Sequence, residues 1–154
     1  MVRGRRATIT VFCALTALFT ALVGIMIFPG FGKFGGLPFM VASGISVFLL
    51  GVGLIVLTRR QDIAGPLRKF LLLTGASAAA ILPGILLHNI VYGLLIHFFG
   101  PDFWGPAGSG DEPVFFIISV IICPIGFLIG AVGSAVLLVK EKKRRGSINS
   151  AQRL

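Results

Sequence analysis

The residues able to do chemistry in this sequence are concentrated in one short run. The run LLHNIVYGLLIHFF places His88, Asn89 and Tyr92 inside an apolar stretch, and Cys123 stands alone in a second one. Polar side chains are costly within a membrane unless they are paired. They can line a path for a ligand or a proton, or they can join helices by hydrogen bonds. We interpret these four residues as a candidate polar intramembrane site.

Two prolines flank this candidate site and predict helix kinks. Pro83 precedes His88 by one turn and Pro124 directly follows Cys123. Proline removes a backbone hydrogen bond and crowds the preceding turn of a helix. Counted from the external ends of their stretches, His88 lies roughly 18 Å deep and Cys123 roughly 15 Å deep at 1.5 Å per residue. The sequence therefore predicts that the two stretches meet at this depth, with the polar side chains facing the bundle interior.

The elements that must position these residues are four long apolar stretches. None contains an Asp, Glu, Lys or Arg, the mean hydropathy of the chain is +1.00, and only 12% of its residues are charged. Each stretch exceeds the roughly 20 residues that span a hydrocarbon core as a helix. We predict an all-α integral membrane protein whose four transmembrane helices form an up-down bundle. The predicted helices are 7–28, 37–58, 70–99 and 114–139.

The charges predict the orientation of this bundle. Thirteen of the fourteen Lys and Arg residues precede helix 1, lie between helices 2 and 3, or follow helix 4, and the opposite side holds only Lys33. By the positive-inside rule, both termini are cytoplasmic. The net charge of +9 then indicates anionic inner-leaflet lipids as partners of the basic tail, not nucleic acid. The predicted location is the plasma or inner membrane.

Small residues predict how the helices pack. Helix 4 carries Gly126, Gly130 and Ser134 at a spacing of four, which lets another backbone approach closely. The stripe indicates a packing face within the bundle or, alternatively, an oligomer interface.

The chain is predicted to form one transmembrane domain, 1–140, followed by a basic cytoplasmic tail, 141–154, that is disordered beyond its first turn. The connection 100–113 is rich in Gly and Pro and carries Phe103 and Trp104. It indicates an interfacial aromatic belt or, alternatively, an external lid or recognition loop whose polar groups are Asp102, Asp111 and Glu112.

No catalytic motif accompanies these features. The sequence lacks HExxH, GxSxG, a P-loop and a CxxC pair, and its spans contain no paired acids. We therefore expect no enzyme activity, cofactor or metal. The expected function is that of an accessory, anchoring or assembly subunit of a membrane complex, with a membrane-protein partner or a homo-oligomer. The alternative is a small oligomeric transporter or channel that uses a His/Asn site at the helix 3 kink.

Overall fold

The computed structural model describes residues 2–27, 36–61, 63–105, 110 and 112–151. Every element in these ranges is helical. In chain order they are α1 (Val2–Ile27), α2 (Leu37–Arg60), α3 (Pro66–Phe99), α4 (Pro113–Ile117), a π-helical turn (Ile118–Ile122) and α5 (Cys123–Ala151). Since α4, the π-helical turn and α5 run on without a break, the described chain has four helices long and apolar enough to cross a membrane. The predicted number of long apolar helices is confirmed, and each predicted range overlaps one of them.

Proline and glycine set the ends of these helices. Pro66 stands in the first turn of α3, where its missing N–H costs no hydrogen bond, and Gly65 before it has a φ of 72°. Beyond the other end of α3, Gly100 has a φ of 95° and its N–H donates to the carbonyl of Ile96 at 2.9 Å. A positive φ suits glycine, so both glycines let the chain leave the helix sharply.

Helix α3 is the centre of the bundle, with α2 on one side and α5 on the other. At the crossing of α2 and α3, Gly51 faces Gly75, and a Cβ added to either would lie 2.9 Å from the carbonyl oxygen of the other. Helix α1 packs on α2 and meets α5 through Phe19 and Phe127, whose ring centroids are 4.0 Å apart. These contacts enclose a core that includes fully buried Leu15 and Leu54.

The outer third of α3 extends past the ends of the other described helices. Gly44 of α2 lies beside Leu82, so α2 begins at about the level of Asn89. On the other side of α3, α4 begins beside His88, whose ring contacts Glu112. The last ten residues of α3 therefore project by roughly 15 Å at 1.5 Å per residue.

Two expectations from the sequence do not hold. Helix α5 continues through Ala151, whereas disorder was expected beyond the first turn of the tail. Lys, Glu and Arg are good helix formers and no proline interrupts them, so the helix continues. The shared depth of His88 and Cys123 is also wrong, because that estimate assumed that both helices reach the same external level. Cys123 lies roughly 16 Å further along the bundle than Glu112, the residue that meets His88.

Candidate functional site

A half-buried histidine and a buried glutamate meet at the end of the bundle where α4 begins. The Nδ1 atom of His88 lies 3.0 Å from the backbone carbonyl oxygen of Glu112 and 3.3 Å from its carboxylate oxygen Oε2. Because a carbonyl oxygen only accepts, this contact is satisfied when Nδ1 carries a proton and donates it. Glu112 is only 4% exposed. This contact holds the end of the connection that follows α3 against the side of α3.

The carboxylate of Glu112 also caps α4. Its Oε1 accepts from the Val114 N–H at 2.8 Å, and its Oε2 accepts from the Phe115 N–H at 3.0 Å. A negative charge at a helix N-terminus satisfies orphan N–H groups and interacts favourably with the helix dipole. These hydrogen bonds offset the cost of burying the carboxylate, and they fix its position toward His88.

Aromatic rings cover the extension of α3 above this pair. Trp104 stacks on Tyr92 with ring centroids 6.0 Å apart, and Phe103 packs on Phe99 at 5.1 Å. The turn at 101–105 therefore folds back along α3, and Gly105, with a φ of 103°, ends it. Tyr92, a candidate site residue, is thus a support for Trp104 and lies one helical turn beyond His88.

A cleft of about 250 Å³ lies below the pair, between α3 and the π-helical turn. Its polar wall contains His88, Asn89 and Ser119, and its apolar lining includes Phe116. The Ser119 hydroxyl donates to the carbonyl of Phe115 at 2.6 Å and packs against Gly84. The cleft is only half enclosed, and its mouth opens beside exposed apolar side chains on both helices.

Asn89 does not face the bundle interior, in contrast to the expectation from the sequence. Its side chain is exposed, and its Nδ2 donates to the carbonyl of Ile85 on the same helix at 2.8 Å. The cost of a polar group in an apolar helix is met locally, through a backbone carbonyl one turn earlier. Asn89 and His88 are therefore neighbours on α3 that point to different surroundings.

Cys123 and Pro124 lie apart from this cleft, at the start of α5. Cys123 is buried and its thiol is free. Pro124 cannot donate to the carbonyl of Val120, and its ring crowds that carbonyl. The π-helical turn ends directly before Cys123, whose N–H bonds to the Ile118 carbonyl five residues back. The helix is therefore wider in the turn directly before Pro124, and the kink predicted at this proline stays a prediction.

The small-residue stripe of α5 lies against α3. A Cβ added to Gly126 would lie 2.6 Å from the hydroxyl oxygen of Ser77, and one added to Gly130 would lie 2.7 Å from the backbone nitrogen of Thr74. Ser134, the third member of the stripe, is fully buried. In this structure the stripe is a face of the intramolecular α3–α5 contact.

The sequence analysis assigned Glu112 to a possible lid and not to the candidate intramembrane site, and it missed Ser119. The signal for Glu112 was present, because an acid directly before a proline that opens a helix is typical of an N-terminal cap. Ser119 carried no such signal, since its placement depends on the π-helical turn. Within the ranges that the structure describes, no three His, Cys, Asp or Glu side chains are grouped closely enough to hold a metal ion.

These features describe a small, all-helical chain whose four apolar helices suggest a multi-pass membrane protein. No protein-family model, curated protein or solved structure matches it.

Proposed function

We propose that this protein is a non-catalytic accessory or assembly subunit that docks onto another membrane protein through the outer third of α3. The observation that carries this proposal is the apolar extension Ile90–Phe99, which projects past the other described helices. Within it, Ile90, Leu94 and Phe98 are 54%, 48% and 72% exposed. No described segment of the chain packs on this face, and its projection past the other described helices sets it apart from exposed apolar side chains elsewhere in the bundle. A partner helix would cover it.

The spacing along the extension supports a helix as the docked element. Ile90, Leu94 and Phe98 recur every four residues and so share one face of α3. Asn89, Gly93 and His97 share the adjacent face, and a Cβ added to Gly93 would meet nothing within 4 Å. A partner helix can approach closely at such a glycine and hydrogen-bond to the amide beside it.

The proposal includes the orientation and location indicated by the charges. Both termini face the cytoplasm, the α3 extension lies on the external side, and the protein resides in the plasma or inner membrane. The basic tail then contacts anionic lipids of the inner leaflet. The split of basic residues between the two sides of the bundle supports this arrangement.

Replacing Leu94 and Phe98 together by serine should release the partner without unfolding the protein, because both side chains are exposed. The matched control replaces Leu128 and Val132 of α5 by serine, since these are also exposed and also four residues apart. Crosslinking in native membranes, followed by purification and mass spectrometry, measures the association. A stoichiometric partner that is lost only in the α3 variant supports the proposal. Equal retention in both variants contradicts it, and recovery of this chain alone would make the surface a homo-oligomer interface.

A small oligomeric transporter is the second candidate, favoured by the cleft below the His88–Glu112 pair. A histidine beside a buried carboxylate in a membrane protein is typical of proton relays. The cleft adds the Ser119 hydroxyl and the nearby amide of Asn89. In this alternative, neighbouring copies would complete a path along this side of α3.

Proton flux into proteoliposomes separates the two candidates. Under the accessory function, vesicles with the wild-type protein should acidify no faster than empty ones, as followed with a trapped pH-sensitive dye. Under the transporter alternative, wild-type vesicles conduct and His88→Leu abolishes the flux. His97→Leu, which changes an exposed histidine on the same helix, is the control and should conduct normally.

A further inference from the structure

A second, larger cavity lies at the opposite end of the bundle, between α1 and α5. The two helices touch at Phe19 and Phe127 near mid-bundle and again where Arg5 forms an ion pair with Glu141. Between these two contacts they leave a groove of about 1080 Å³ that is roughly half open. Ligand pockets usually measure about 300–1,000 Å³, so the groove accommodates a large ligand.

The groove is apolar inside and basic at its rim. Phe12, Cys13, Ala135 and Leu138 are among the residues of its inner wall. All belong to segments apolar enough to span a membrane. A water molecule would make few hydrogen bonds in such a recess, because the wall offers few hydrogen-bonding groups. An acyl chain suits this part of the groove.

The rim carries four cations and one carboxylate. The cations are Arg5, Arg6, Arg60 and Lys142, and the carboxylate is Glu141, already paired with Arg5. Among the residues that the structure describes, the other three cations form no ion pair. Guanidinium groups bind phosphate oxygens through paired N–H groups. The rim is therefore complementary to a phosphate at the level where the membrane spans end.

Gln61, which follows Arg60 at the rim of the groove, adds a hydrogen-bond acceptor. Its Nε2 donates to the carbonyl of Gly4 at 2.5 Å. Its Oε1 is buried and accepts no hydrogen bond within the described part of the chain. A buried acceptor without a donor is unfavourable. A headgroup hydroxyl beside the phosphate would supply that donor.

We propose that the groove between α1 and α5 binds one anionic glycerophospholipid, with the phosphate at the basic rim and an acyl chain against Phe12 and Ala135. The lipid fills the space between the two contacts of α1 with α5 and so joins these helices. Only Glu141 and Lys142 of the rim belong to the basic tail, and the other rim cations lie on α1 and at the end of α2.

Native mass spectrometry of the full-length protein, titrated with phosphatidylglycerol or phosphatidylcholine in detergent, tests this proposal. The wild type should retain a single phosphatidylglycerol in preference to phosphatidylcholine. Neutralising Arg6, Arg60 and Lys142 to glutamine should weaken phosphatidylglycerol binding by about a hundredfold. This corresponds to about fivefold, or about 1 kcal/mol, for each charge near a membrane surface. Equal retention of the two lipids by the wild type would overturn the proposal.

Two matched variants distinguish binding in the groove from non-specific attraction of the lipid to positive charge. Arg68→Gln with Lys69→Gln removes exposed cations from the same end of the bundle but outside the groove, and it should leave the affinity unchanged. Ala135→Trp fills the apolar wall while keeping every cation, and it should also displace the lipid. The site is refuted if the Arg68/Lys69 variant binds as weakly as the rim variant, or if Ala135→Trp binds like the wild type. Displacement by inorganic phosphate alone would assign the rim to a free anion instead.

Discussion

Gly130→Leu is expected to break the contact between α3 and α5. A Cβ at this position would lie 2.7 Å from the backbone nitrogen of Thr74 and 3.0 Å from the backbone carbonyl oxygen of Phe70. Favourable contacts between heavy atoms begin near 3.5 Å, so the first added carbon already overlaps α3. Because both neighbours are backbone atoms, the clash is relieved only when the helices move apart. Overpacking of this kind costs about 1–3 kcal/mol or more.

The matched control is Gly53→Leu in α2. A Cβ at Gly53 meets nothing within 4 Å, so the same substitution there adds no overlap. It should keep or slightly raise stability, since leucine favours helix more than glycine does. Unfolding of both variants in detergent, followed by loss of helical circular dichroism, gives the difference in the free energy of unfolding. If the two variants unfold alike, α5 does not pack on α3 through Gly130.

The sequence was sufficient to predict the helices, because a membrane restricts the structures that a chain can adopt. Uninterrupted apolar stretches longer than 20 residues have few alternatives to a helix, since backbone groups in lipid must bond within the segment. Glycine spacing also carried information, because Gly126 and Gly130 form a close-approach face in any helix. That face lies against Thr74 and Ser77 of α3, and small polar residues on the opposing helix fit such a face.

The candidate site was harder to predict, because it depends on the relative heights of the helices. Pairing residues by depth required α3 and α4 to end at the same level, but α3 is longer and continues past Glu112. His88 therefore meets Glu112 and not Cys123. Burial was ambiguous for Asn89 as well, since a local bond to the Ile85 carbonyl satisfies its amide on an exposed face. Helix periodicity shows which residues share a face but not what that face contacts.

Glu112→Ala is expected to loosen the end of the bundle where α4 begins. The change removes the acceptor of the Val114 and Phe115 N–H groups and the carboxylate that faces His88. Unsatisfied buried donors cost about 1–3 kcal/mol, and the loss of a helix cap costs about 0.5–2 kcal/mol. We expect the free energy of unfolding to fall by about 2–4 kcal/mol, since these terms overlap in part.

Two further variants determine which feature of Glu112 matters. Glu112→Gln keeps an oxygen that can accept from α4 but removes the negative charge, so it should retain much of the cap and lose the attraction to the helix dipole. Asp102→Ala removes an exposed acid from the same connection and should change stability by less than about 0.5 kcal/mol. Unfolding in detergent gives the free energy of unfolding of all three variants.

Combining Glu112→Ala with His88→Phe gives the coupling free energy between the two side chains. A coupling free energy near zero would mean that Glu112 acts as a helix cap alone. If Glu112→Ala were as stable as Asp102→Ala, the carboxylate would hold neither α4 nor His88 in place.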